Sequence, residues 1–148
     1  LYMKDMYKVS LAILKNDADI ADAIQDTILS CWEKLFSLKQ NQYFKTWMIR
    51  ILINKCYEIQ RKNKVYTSLG EFEEVSYEDS YNIEFKEALN TLDDKYRIII
   101  ILFYAEGYHT PEIAAMLKIP QSTVQTRLQR GRKQLEKYYK EKRRCSDE

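Results

Sequence analysis

Between residues 121 and 133 the chain sets amides, hydroxyls and guanidinium groups at spacings that suit hydrogen bonding to base-pair edges. A helix turns by about 100° per residue. Gln125, Thr126, Gln129 and Lys133 therefore share one face, and Val124, Leu128, Gly131 and Leu135 fall opposite. Side-chain amides and hydroxyls match the donors and acceptors of a major groove. Arg127, Arg130, Arg132 and Lys133 lie along and beside that face, where cations meet backbone phosphates. A shorter helical pattern, TPEIAAML, precedes it, with Thr110 as expected N-cap and Pro111 at the first helical position. Ala114 and Ala115 are small enough for a close crossing, beside Ile113 and Leu117. The second helix has two candidate starts: Pro120 as first helical residue, or Ser122 with Gln125 as a capping box. The layout is a helix-turn-helix whose second helix enters a DNA major groove. An amphipathic helix in an antiparallel bundle is the plainer alternative. The candidate contacts are Ser122, Thr123, Gln125, Thr126, Arg127, Gln129, Arg130 and Lys133.

A different constellation lies about sixty residues upstream, in NQYFKTWMIRILINKCYEIQRKNK. Tyr43, Phe44 and Trp47 cluster at its start, and Arg50, Asn54, Tyr57 and Arg61 recur every three or four residues. With Thr46 and Ile53 these make a mostly polar stripe, while Phe44, Met48, Ile51, Leu52 and Ile59 gather on the other side. Aromatic rings beside cations and amides suit a single-stranded nucleic acid, with stacking surfaces for bases and charge for the backbone. For Phe44 and Trp47, packing in a core is an equal alternative. Further upstream, Asp19, Asp22 and Asp26, with Gln25 and Glu33, form an acidic-polar stripe. It fits either a basic protein partner or a solvated helix face.

The elements that must position these groups are helices. Among 148 residues there are only three Gly and two Pro, and apolar residues make up 45%. That composition leaves long stretches free of breakers and enough apolar side chains for a core. Periodicity predicts helices over 2–15, from an N-cap at Asp17 to about 36, over 43–63, over 81–90, from about 93 to a stop at Gly107, over 110–117, and from about 120 to 142. The run Ile98 to Ala105 is apolar nearly all round and is expected at the centre of the second core. The reading is all-α, with two small helical domains at 1–63 and 81–148 joined by a flexible linker at 64–80.

Charge follows the same division. The net charge of +2 hides −5 over residues 63–87 and +8 over residues 118–144. A basic terminal segment beside an acidic connector suggests a polyanion partner for the former and a basic channel for the latter. Cys31, Cys56 and Cys145 show no paired spacing, and there is one histidine, His109, read as an exposed loop residue. A zinc site is not expected, and a reduced cytoplasmic setting is. No apolar run approaches the ~20 residues of a membrane span. Leu1 falls inside a helical pattern, so native sequence is expected to precede it. With no glycine-rich phosphate loop and no paired acids in an apolar pocket, neither an enzyme nor a cofactor or small-molecule substrate is expected.

The string Asp19-x-x-Asp22-x-x-Gln25 with Trp32, then Phe44-x-Thr46-Trp47 with Arg50 and Asn54, then EIAAMLKIPQSTVQTRLQRGRKQL, resembles bacterial RNA polymerase sigma factors of the extracytoplasmic-function (ECF) group. That resemblance covers nearly the whole chain. It implies that Asp19, Asp22, Gln25, Asp26 and Trp32 form or support the surface docking on core RNA polymerase. Thr46, Trp47, Arg50, Asn54, Tyr57, Arg61 and Lys62 would serve the minus-ten element of promoter DNA, melting it and holding an extruded non-template base. The α-helical face at Gln125, Thr126, Gln129 and Arg130 would read the minus-thirty-five element. The linker would thread the basic RNA-exit path, and an anti-sigma factor clamping both domains is an expected partner. Two departures stand out: Ile28 replaces a frequent Phe, read as a packing substitution, and Pro120-Gln121 replaces a Ser and an acid at the turn. Two rivals are a helix-turn-helix repressor or activator acting on duplex operator DNA without polymerase, and a helical adaptor with an incidental basic tail. The Phe44–Trp47–Asn54–Arg61 series argues against the first, which needs no strand-capture surface.

Overall fold

The computed structural model describes the backbone of residues 2–66 and 83–146, which belong to two compact units, and every element among the described residues is helical. The expected linker lies outside the described residues, apart from 64–66, which continue a helix.

In the first unit, α1 (Met3–Ile13), α2 (Asp17–Lys34) and α3 (Phe44–Tyr66) form a three-helix bundle in which α3 packs on both others. Asn16, not Asp17, caps α2: its side-chain oxygen accepts from the Ala18 N–H at 2.7 Å. Asp17 is already helical and accepts from the Tyr7 hydroxyl at 3.3 Å, tying α2 to α1. Asp17 and Asp19 remain in the first turn, where the helix dipole favours them. Instead of reaching Phe36, α2 stops at Lys34 and passes into a 3-10 turn, Leu35–Ser37; a second one, Asn41–Tyr43, leads into α3.

Val9, Ala12 and Ile13 of α1 meet Ile20, Ala23 and Ile24 of α2 and Ile49, Leu52, Ile53 and Cys56 of α3 in the core. Ile53 is therefore buried rather than part of the polar stripe. Because α3 is sandwiched between two helices, its apolar arc is wider than a one-sided helix would show. Two polar contacts close the bundle's far end. Gln60 Nε2 donates to the Ile13 carbonyl at 3.3 Å, one of the acceptors a helix C-terminus leaves orphaned. Asn63 Nδ2 donates to Asp19 Oδ2 at 2.8 Å.

In the second unit, α4 (Ile83–Asn90) and α5 (Asp94–Ile100) are joined by Arg97. Its buried guanidinium donates to the Leu89 carbonyl at 2.9 Å, the Leu92 carbonyl at 2.7 Å and Asp94 Oδ1 at 2.9 Å. One side chain thus satisfies acceptors at the end of α4 and in the turn after it from inside α5. Beyond Ile100 the helix widens into a π-helical turn, Ile101–Ala105, and ends at Gly107, whose φ of +74° is a left-handed conformation that glycine adopts without strain. Burial covers Ile98 to Leu102; Phe103 is half-buried and Tyr104 and Ala105 are exposed, so the apolar run is a core segment with an outward-turned end.

The helix-turn-helix is α6 (Thr110–Leu117) and α7 (Gln121–Ser146). His109, exposed, caps α6 through its carbonyl, which accepts from the Ile113 N–H at 3.0 Å. Thr110, the expected cap, lies in the first turn and accepts from Gln121 Nε2 at 3.2 Å, pinning the start of α7. Lys118 takes the left-handed conformation (φ 57°), and the Ile119 N–H closes the turn on the Ala114 carbonyl at 3.1 Å, a Schellman-type ending. Pro120 sits just outside α7, accepting from the Thr123 and Val124 N–H groups at 3.0 and 3.2 Å. Ser122 is therefore inside the helix, not its cap. From α6, Ile113 and Met116 are buried, whereas Ala115 is exposed and takes no part in the crossing. Val124 and Leu128 supply α7's share of the core, with Gly131 buried and Leu135 half-buried behind them.

Replacing Arg97 by Met should destabilise the second unit by about 2–4 kcal/mol, because two buried carbonyls lose their donor. Hydrogen exchange of the α5 amides in denaturant measures it, since both tryptophans lie in the other unit. Lys118→Gly should act oppositely, raising the same amide protection by up to ~1 kcal/mol through relief of the left-handed turn.

Candidate nucleic-acid interface

With Val124, Leu128 and Gly131 turned inward, α7 leaves Ser122, Gln125, Thr126, Gln129, Arg130 and Lys133 exposed. Thr123 and Arg127 are half-buried at its edge. The Thr126 hydroxyl donates to the Ser122 carbonyl at 2.9 Å, which leaves its oxygen outward as an acceptor. Arg132 departs from the expected phosphate set. Its Nε donates to the Tyr104 hydroxyl, and its guanidinium stands over the Phe103 and Tyr104 rings at 5.4 and 5.5 Å. The outward-turned end of the π-helical segment holds that cation.

Beside the first turns of α7 lies an open concavity of about 310 Å³ lined by Lys95, Tyr96, Ser122, Thr123, Thr126, Arg127 and Arg130. Lys95, from the first turn of α5, adds a cation that no local pattern in the sequence revealed. Three cations around hydroxyl groups suit a phosphate better than a base.

On α3, Arg50, Asn54, Arg61 and Lys62 are exposed, while Thr46, Trp47 and Tyr57 are half-buried. Trp47 packs on Phe44 with ring centroids 6.0 Å apart, and Phe44 packs on Tyr2 at the same distance. Part of the indole is thus committed to an aromatic cluster and part stays open beside Arg50 and Asn54. Glu58 also stands exposed on this helix, 3.9 Å from Lys62, an acid the stripe did not anticipate.

On α2, Asp22, Gln25, Asp26 and Trp32 are exposed, and Asp19 is half-buried under its contact with Asn63. Here sequence reasoning missed the larger feature. Trp32 is 78% exposed and Phe36 98%, and Leu29, Leu35 and Ile28 are open beside them. Ile28, expected as a packing residue, is 47% exposed and fills no core. The available signal was a second apolar set at 28, 29, 32 and 36, offset from the core set at 20, 24, 27 and 31, on a helix that can bury only one face.

A three-helix unit with an open acidic-apolar face, ahead of a helix-turn-helix with a polar recognition face, defines a two-part transcription-initiation factor. Residues 1–65 match the family described as Sigma-70 region 2, and residues 83–135 match Sigma-70, region 4. The ECF RNA polymerase sigma factor SigW of Bacillus subtilis is 30% identical over 159 residues, covering 93% of this chain and 84% of SigW. The RNA polymerase sigma factor SigV of the same organism is 29% identical over 137 residues, covering 89% of this chain and 82% of SigV. Among solved structures, the sigma factor RpoE in complex with the anti-sigma factor NepR from Bartonella quintana aligns with a TM-score of 0.79 and 28% identity, over 93% of this chain and 91% of that one. The chain belongs to the ECF group of bacterial RNA polymerase sigma factors, non-enzymatic subunits that direct polymerase to promoters. A repressor or adaptor with no polymerase role is thereby set aside. Among the described residues no cluster of His, Cys, Asp and Glu could hold a metal ion, and no helix is long and apolar enough to cross a membrane.

The cysteines stand apart from these surfaces in chemistry. Cys56 is buried against the Ser10 hydroxyl, and burial pushes its thiol up to about 11; burial raises Cys31 as well. Cys145 is exposed near the end of α7. At pH 8 a thiol reagent should therefore label Cys145 in seconds to minutes and leave Cys31 and Cys56 unmodified until denaturant is added, as mass spectrometry of the peptides would reveal.

Proposed function

We propose that the two units divide promoter recognition between them, and that the assignment can be made residue by residue. The first unit docks on core polymerase through Asp22, Gln25, Leu29, Trp32 and Phe36 of the α2 segment, with Asp26 alongside and Asp19 bracing α2 from beneath. This reading is supported above all by the uncovered Leu29, Trp32 and Phe36 side chains: several large apolar groups left open along one segment of a small domain favour a protein partner. The acids around it would meet a basic rim.

On the same unit, Arg50, Asn54, Arg61 and Lys62, with Thr46, Trp47 and Tyr57 at the margin, take the minus-ten element. Melting here is base capture: unstacking costs a few kcal/mol, offset when an extruded non-template base finds a stacking face and hydrogen-bond partners. The second unit reads the minus-thirty-five element, with Gln125, Thr126 and Gln129 on base edges and Ser122, Thr123, Arg127, Arg130 and Lys133 on phosphates. An anti-sigma factor that covers both units would silence all three surfaces together. The domain limits of 1–63 and 81–148, with the acidic connector threading an RNA-exit path, belong to the same reading.

Run-off transcription with core polymerase separates these roles. The wild-type chain should confer promoter-specific initiation. Leu29→Asp with Trp32→Ala should weaken polymerase binding at least tenfold. Asn54→Ala should leave that binding intact, slow strand opening and be partly relieved on a pre-melted template. Gln125→Ala with Gln129→Ala should cost about 1–3 kcal/mol of discrimination per base pair read. Initiation that never depends on this chain, while the free protein shifts duplex DNA, would overturn the assignment.

A further inference from the structure

The match to region 4 ends at residue 135, yet α7 continues without a break to Ser146. At about 1.5 Å per residue its 26 residues span roughly 39 Å, far more than the turns that one major groove can hold. The extension is strongly basic: residues 136–144 contain five Lys/Arg and two Glu. Its rotation is fixed. Tyr138 donates to Glu87 Oε2 of α4 at 3.3 Å, Lys142 Nζ lies 3.6 Å from the same oxygen, and Lys142 also stands over the Tyr138 ring at 5.9 Å. Tyr138, half-buried, and Lys142, exposed, thereby face α4 on the line of Val124, Leu128 and Gly131.

With that face turned in, Lys137, Lys140 and Arg144 fall within about 60° of one another at roughly 100° per residue. They share the side of α7 that carries Ser122, Thr126, Gln129 and Lys133, and all three are exposed. Glu136 is drawn off by Lys140, at 2.9 Å, a pairing that lowers the Glu136 carboxyl; Glu141 flanks the row. Among the described residues Lys137 and Arg144 make no ion pair. A cationic row on the line of the base-reading face, displaced along the helix by several turns, has lost reach of the bases but keeps the orientation and charge for phosphates.

We infer that Lys137, Lys140 and Arg144 form a ridge that grips the sugar-phosphate backbone of duplex DNA beyond the element read by the first turns of α7, independently of sequence. This rests on the reading of those first turns as the base-contacting segment.

The test uses the full chain bound to core polymerase and measures promoter affinity against salt concentration. Each lost phosphate contact should flatten the log–log salt dependence by about 0.9. Lys137→Gln, Lys140→Gln and Arg144→Gln together should flatten it by about two to three, lower affinity on the order of tenfold near 0.15 M salt, and leave discrimination between promoter and scrambled duplex unchanged. A charge-keeping variant, Lys137→Arg with Lys140→Arg, should retain the wild-type slope. On a duplex truncated at the edge of the element, the glutamine variant and wild type should coincide. An unchanged slope on the long duplex would overturn the ridge, as would weakened affinity for core polymerase without DNA, which would assign the row to a protein surface. Gln125→Ala with Gln129→Ala is the separate control: discrimination should fall at constant slope, and if discrimination persists it is the base-reading assignment that fails, not the ridge.

Discussion

The closeness of α7 to α5 is the constraint on which the second unit depends. A Cβ placed on Gly131 would lie 3.0 Å from Ile100 Cγ1 and 3.1 Å from its Cδ1, tight enough that a buried isoleucine would have to give by a few tenths of an ångström. That contact, with Val124 and Leu128 on the same side, sets the rotation of α7. Once rotation is set, every polar group on the other side is aimed without further expense: a helix that turned by one residue would point Gln125 and Gln129 somewhere else. The Thr110–Gln121 hydrogen bond fixes the first turn, and the Glu87 contacts with Tyr138 and Lys142 fix the last ones.

In the first unit the equivalent constraint is the sandwiching of α3. Ile49, Leu52, Ile53 and Cys56 face two helices at once, which leaves only a narrow solvent-facing strip, and Arg50, Asn54 and Arg61 occupy it. The helix beneath the strip is held along most of its length, from the Tyr2–Phe44–Trp47 cluster at one end to the Asn63–Asp19 hydrogen bond at the other. On the minus-ten reading proposed above, bases would meet a helix already held in place, with less backbone left to order on binding.

Helices, their order and the two-part organisation were legible because periodicity and breakers are local signals. What was not legible depended on partners distant in sequence. Asp17 and Thr110 look like caps from composition, but Tyr7 and Gln121 engage them, and the neighbouring Asn16 and His109 end up at the cap positions. Ile53 was misplaced because a helical wheel assumes a single buried face. Arg97 carried no signal in the sequence; its burial follows from the carbonyls of Leu89 and Leu92, which only the α4–α5 turn brings together. Lys95 joined the concavity on α7 from some thirty residues away, and Arg132 left the phosphate set because a π-helical turn presented two rings to it.

The α2 segment illustrates what an uncovered apolar face costs the free protein. Ile24, Thr27 and Cys31 on its inner side hold the bundle together, whereas Leu29, Trp32 and Phe36 on its outer side remain in water. At about 25 cal/mol per Å² of apolar area, covering a tryptophan and its neighbours is worth several kcal/mol, none of which contributes to folding of the chain alone. The unit therefore gains stability by mass action when a partner that binds only the folded form covers this face. A small three-helix domain can hold that reserve only while its core stays dense, which accounts for the fully buried alanines Ala12 and Ala23 at its helix crossings and for a buried hydroxyl–thiol pair, Ser10 and Cys56, where a larger side chain would force the helices apart.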